Sequence, residues 1–181
     1  MSLVGRRVLV TGGSSYVGRK LCHRLLEEGC DVRALGLHFS GGTPSGIVEL
    51  DGDNRNPEDV AKACSGVHVV FHLAAVELSI RDKLDARRVR QINVEGVNNV
   101  LRCCLEYGVQ ALVYTSTYGV VFGGQEITEG DESLPYFPLD KHTDEISRST
   151  ALAEMEVLRA RYSRCLYTCA LRPATIYGEG E

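Results

Sequence analysis

Short runs of β-branched and aliphatic residues alternate along this chain with stretches in which apolar residues recur every three or four positions. Val8, Leu9 and Val10 are apolar without interruption, the pattern of a strand buried on both faces. Thr11, Gly12 and Gly13 end that run, and Tyr16 to Glu28 then places Val17, Leu21, Leu25 and Leu26 at helical spacing. Further strands are predicted over 32–37, 47–50, 67–73, 111–115 and 166–171. Helices are predicted over 57–64, with Pro57 at a tolerated first position, and over 85–107, stopped by Gly108. A last helix is predicted over 143–162, capped by Thr143 with Asp144 and Glu145 in its first turn. Residues 40–46 read as a glycine-rich loop. Residues 119–142 form a loop longer than a connection needs, which marks it as functional.

Strands that alternate with helices imply an α/β fold with a doubly wound parallel sheet in the order 3-2-1-4-5-6, flanked by helices. The first unit carries the chemistry. A strand, a glycine-rich turn and a helix opening at that turn make a Rossmann-type cradle, because the helix presents free N–H groups and positive dipole to a pyrophosphate. The whole of 1–181 reads as one NAD(P)-binding domain. Its glycine-rich end after the sixth strand reads as an interruption, so a carboxyl-terminal substrate region is expected to be lacking.

Composition narrows the partners. A net charge of −4 with no basic block argues against nucleic acid, and no apolar run is long enough to span a bilayer. The chain shows no signal peptide. Its seven cysteines contain no Cys-x-x-Cys pair, and they read as reduced thiols of a cytoplasmic protein. No His, Cys or carboxylate spacing suggests a metal site.

From the fifth strand onward the sequence becomes specific. Leu112 to Gly124 (LVYTSTYGVVFGG), Gly130 to Tyr136 (GDESLPY) and Cys169 to Gly178 (CALRPATIYG) resemble the 3β-hydroxysteroid dehydrogenase/isomerase family of extended short-chain dehydrogenases/reductases. Within that family they resemble the family 42E members. His72 to Ala75 and Asn93 to Leu101 fit the same family. The resemblance implies an NAD(P)-dependent oxidoreductase acting on a CH–OH group of a steroid-like small molecule, and in longer relatives often membrane association. Helix faces in this superfamily commonly form dimers, so a homodimer is also expected. It implies a cofactor held by Gly12, Ser15, Tyr16, Val17 and Gly18 of the glycine turn, by Asp53 and Asn54 after the third strand, by Leu73, Ala74 and Ala75 after the fourth, and by Pro173. It also implies Thr117 as the hydroxyl that hydrogen-bonds the substrate oxygen.

The departures from the family are as informative. The family pairs a tyrosine and a lysine four residues apart on one helical face, where the lysine lowers the tyrosine pKa and binds the ribose. Here those positions hold Ile146 and Thr150, which carry neither a transferable proton nor a charge. Ser15 replaces the middle glycine of the turn, where its hydroxyl is expected to offer a hydrogen bond to a phosphate. Gly36 stands where a carboxylate would accept from the ribose 2′-hydroxyl, and no arginine follows closely enough to select NADP. NAD or NADP is therefore expected to bind weakly and with little discrimination. An alternative to the oxidoreductase is a catalytically inactive nucleotide-binding or partner-binding member that keeps the fold.

Overall fold

The computed structural model describes residues 2–39, 41, 44–75, 85–161 and 165–179. Its six strands are β1 (Arg7–Thr11), β2 (Asp31–Gly36), β3 (Ile47–Asp51), β4 (Val69–His72), β5 (Ala111–Thr115) and β6 (Tyr167–Leu171). They form one sheet in the order β3-β2-β1-β4-β5-β6, and every neighbouring pair is parallel. This is the doubly wound order that the sequence predicted.

Strand alternation sends successive side chains of β1 to opposite faces. Val8 and Val10 pack with Cys22 and Leu25 of α1 (Tyr16–Glu27) and with Val32 of β2. Leu9 points to the other face, with Val60 of α2 (Pro57–Cys64), Val100 further along the chain and Val157 near its end. All three β1 residues are fully buried. The second face is roofed by α2, by the segment from Ala86 to Glu106 and by α5 (Glu145–Ala160).

That middle segment departs from the single helix predicted over 85–107. It divides into α3 (Ala86–Arg90), a π-helical turn (Gln91–Glu95) and α4 (Gly96–Glu106). The side-chain amide of Asn54 explains the break, because it donates to the Ile92 carbonyl at 3.1 Å. The Gly96 amide reaches back to Gln91 instead, which widens the turn. A side chain at Gly96 would strike Asn54. The predicted caps also shift by one residue: Asp144, not Thr143, caps α5 by accepting from the Ser147 amide at 2.7 Å. A carboxylate at that position satisfies an orphan amide and complements the helix dipole.

Coverage is uneven on the α1 face. In β6 the residues Tyr167, Cys169 and Leu171 are exposed, and Cys169 stands in register with the half-buried Val113 and Phe71. Five cysteines are buried and two, Cys165 and Cys169, are exposed; all seven are free thiols. Among the described residues no helix is long and apolar enough to cross a membrane.

The junction of β1 with α1 leaves no room for side chains. Gly18 is buried in α1, and a methyl group there would collide with the Gly12 carbonyl oxygen and press on Gly13 Cα at 2.8 Å. Alanine gains about 1 kcal/mol over glycine in a helix interior, but overpacking a tight contact costs about 1–3 kcal/mol. Gly18→Ala is therefore expected to lower the urea midpoint of unfolding, and a midpoint equal to or above the parent's would contradict this packing.

Candidate functional site

The carboxyl ends of β1 to β4 open into a cleft of about 340 Å³. Gly12, Ser14 and Ser15 form one wall, Gly36 and His38 the end of β2, Asp53 to Arg55 the end of β3, and Leu73 to Ala75 the end of β4. Arg88 and Ile92 close it from the helical segment. Of the expected cofactor residues the cleft gathers Gly12, Ser15, Asp53, Asn54, Leu73, Ala74 and Ala75. Tyr16, Val17, Gly18 and Pro173 lie outside its lining. Tyr16 lines a neighbouring cavity, Gly18 seats α1 on the turn, and the Pro173 carbonyl accepts from the Tyr118 amide at 3.1 Å.

Gly12 turns the chain with a φ of +70°, and an added β-carbon would lie 2.8 Å from the Ala74 nitrogen. Only glycine permits this backbone-to-backbone approach, which brings the end of β4 against the turn. Ser15 behaves differently from the expectation. Its hydroxyl donates to the Gly12 carbonyl at 2.8 Å and accepts from the Gly18 amide at 3.1 Å, as the N-cap of α1. The proton expected to reach a phosphate is committed inside the turn, and so is one helix N–H that a pyrophosphate would use.

Asp53 and Asn54 are also engaged. Burial alone would raise the Asp53 carboxyl pKa, but hydrogen bonds from Arg55 and the charges of Arg55 and Arg88 outweigh it and hold it below the ordinary carboxylate range. Asn54 is buried and uses its amide on the π turn. The two arginines were not anticipated; Arg55, directly after Asp53-Asn54, was the readable signal, whereas Arg88 arrives from a distant helix.

The segment after β5 shows where Thr117 stands. Its side chain accepts from the Gly119 amide at 3.3 Å, capping a short 3₁₀ turn over Tyr118–Val120. A β-carbon on Gly119 would lie 2.7 Å from Ser147 Oγ, so this turn abuts α5 one residue beyond Ile146. Ile146 is half-buried and Thr150 is buried. Between them Ser149 accepts from the Asn93 amide at 3.0 Å and donates to the Ile146 carbonyl at 3.1 Å. Asn93 is thus a structural bonder of the helix pair.

Below this region lies a buried polar centre. The Glu154 carboxylate accepts from Ser116 Oγ at 2.5 Å, Tyr136 OH at 2.9 Å and the Arg172 guanidinium at 2.7 Å. Arg172 also stacks over the Tyr136 ring. Glu154 and Arg172 are almost wholly buried, and this network ties β5, the 119–142 loop, α5 and the chain after β6 together. Burial and then the Glu154 charge push the Tyr136 hydroxyl up to about 12.

The strand order and flanking helices define a Rossmann-type fold, with its cleft at the carboxyl ends of the strands. Residues 9–181 match the 3-beta hydroxysteroid dehydrogenase/isomerase family, and the chain belongs to that family. It is 44% identical over 180 residues to the short-chain dehydrogenase/reductase family 42E member 1 of Danio rerio, covering 96% of this chain and 46% of the relative. It is 45% identical over 183 residues to the Homo sapiens protein of the same name, covering 96% and 47%. The chain thus spans about half the length of these relatives. Among solved structures it resembles the UDP-glucose 4-epimerase of Thermus thermophilus in complex with NAD, with a TM-score of 0.77 and 28% identity over 96% of this chain and 58% of the other.

At the base of the cleft Thr11, His72 and Tyr114 stand in line across β1, β4 and β5. Thr11 Oγ1 and His72 Nδ1 are 2.6 Å apart, and His72 stacks on Tyr114. Burial drives the His72 pKa down to about 4. The unfolded chain binds a proton near pH 6.5 that the folded chain refuses until about pH 4, so the stability is fully present above pH 6.5 and falls as pH drops through that window. The loss amounts to about 3 kcal/mol at most. His72→Gln is expected to flatten the dependence of unfolding free energy on pH between 4 and 6.5, measured by urea titration; an unchanged slope would contradict the burial of a neutral imidazole.

Proposed function

We propose that this chain carries the dinucleotide-binding part of an NAD(P)-dependent oxidoreductase of the 3β-hydroxysteroid dehydrogenase type, with catalysis silent in the chain by itself. The family's substrate is a CH–OH group on a steroid. One observation carries the reading: the cleft keeps its glycine turn and strand ends, while the helical face that should hold tyrosine and lysine holds Ile146 and Thr150. The NAD complex of a structural relative supports a dinucleotide as the occupant. A bound nicotinamide would supply the hydride acceptor or donor. The residues of this chain would seat the pyrophosphate at the turn from Gly12 to Gly18, the adenosine between Gly36 and Asp53, and the ribose over Leu73 to Ala75. Thr117 alone remains to meet a substrate oxygen. General acid–base transfer is worth about 10²–10⁴-fold, which Ile146 and Thr150 do not provide.

Binding is weak on this account. Ser15 commits a helix N–H to its own cap, and Gly36 supplies no ribose acceptor. Loss of one charged hydrogen bond costs about 1.5–3 kcal/mol, or roughly one to two decades of affinity. Buried free thiols support residence in a reducing compartment such as the cytoplasm.

Calorimetry on the parent chain is expected to give an NAD dissociation constant well above the low micromolar range. Ile146→Tyr with Thr150→Lys is expected to tighten NAD binding, since a lysine there reaches toward the nicotinamide ribose and lowers the tyrosine pKa from near 10. A double variant that binds no better than the parent would locate the defect in the turn and overturn this account of the helix.

The exposed Tyr167, Cys169 and Leu171 of β6, at the edge of the sheet, support self-association, since exposed edge strands pair with other chains. Light scattering at high concentration is expected to give a dimer or larger species, and a clean monomer would count against it.

A further inference from the structure

The carboxylate missing at the end of β2 is shut out by a neighbour, and that neighbour brings donors. A β-carbon on Gly36 would lie 2.5 Å from Ser14 Oγ and 3.1 Å from the Ser14 backbone nitrogen. Ser14 therefore fills the volume in which an acidic side chain would begin. A carboxylate accepts hydrogen bonds from a ribose hydroxyl, whereas an amide and a hydroxyl donate. Among the described residues neither Ser14 group donates to an acceptor of the chain. This corner of the cleft has changed from an acceptor of hydroxyls into a donor to anions.

Positive charge stands beside it. Arg19, one turn into α1, donates from Nη1 to the Ser14 carbonyl at 2.5 Å, which holds its guanidinium next to Ser14. Arg19 and Lys20 line a second cavity of about 560 Å³ that reaches the other side of the glycine turn at Gly13; neither lines the cleft itself. Among the described residues neither makes an ion pair, whereas Arg24 on the same helix is taken by Glu27 and Glu28. His38 faces the corner from the β2 side. The Arg19 guanidinium beside two unused donors fits a phosphate, and Lys20, whose ammonium lies over the Tyr16 ring at 5.8 Å, adds positive charge from the same helix.

We propose that this cleft selects the 2′-phosphorylated adenine dinucleotide, with Ser14 and Arg19 as the phosphate-binding residues and Lys20 supporting them through charge. The proposal rests on the dinucleotide reading above and replaces the near-parity expected from the sequence. That expectation followed the chain beyond Gly36, whereas the cation arrives from α1.

The test is calorimetry on the intact chain with ADP-ribose and with its 2′-phosphorylated form, probes that need no catalysis and no nicotinamide. The phosphorylated probe is expected to bind about ten- to a hundredfold more tightly, the worth of one good charge-assisted contact, and its advantage is expected to shrink as salt rises. Arg19→Ala is expected to bring the two probes within about threefold by weakening only the phosphorylated one; Lys20→Ala is expected to do so less. Equal affinities in the parent chain would overturn the proposal and leave the dinucleotide reading standing. Failure of both probes to bind at millimolar concentration would overturn both.

Discussion

The close approach of Gly12 to the backbone of Leu73 and Ala74 is the constraint from which the rest of the molecule follows. With no β-carbon at Gly12, β1 and β4 end side by side and the chain leaves β1 at a positive φ. With none at Gly18, α1 starts directly on the Gly12 carbonyl. These two absences fix where the helix begins and how deep the cleft is. They are backbone requirements, so they persist whether or not the cleft is used. The buried His72 and its bond to Thr11 sit under the same junction.

A second layer of buried polar contacts holds the frame around α5. Asn54 holds the π turn, Asn93 holds Ser149 of α5, and Glu154 gathers Ser116, Tyr136 and Arg172. None of these groups needs Ile146 or Thr150 to be anything in particular. Breaking a buried ion pair such as Glu154–Arg172 is strongly destabilising, and none of these contacts uses the side chain of Ile146 or Thr150.

Much of this was legible in the sequence. Uninterrupted apolar runs located β1, β4 and β5, because a strand roofed on both faces has no polar alternation to confuse it. Strand order followed from the alternation of elements. What escaped were contacts between residues far apart in the chain: the π turn, which depends on an amide 38 positions away, and Arg88 at the cleft. Ser15 was expected to offer its hydroxyl to a phosphate, whereas in the folded chain that hydroxyl donates to Gly12 and accepts from Gly18, since a serine that opens a helix meets its own backbone before any ligand. The shift of the α5 cap from Thr143 to Asp144 is a boundary effect of one residue.

The central claim is that the glycine-turn cleft binds a dinucleotide, and amide chemical-shift mapping tests it most directly. Titrating the ¹⁵N-labelled chain with ADP-ribose is expected to shift the amides of Gly12 to Ser15, Leu35 to His38, Asp53 to Arg55 and Leu73 to Ala75, saturably and together. Saturable shifts clustered elsewhere, or none at millimolar ligand, would contradict the account.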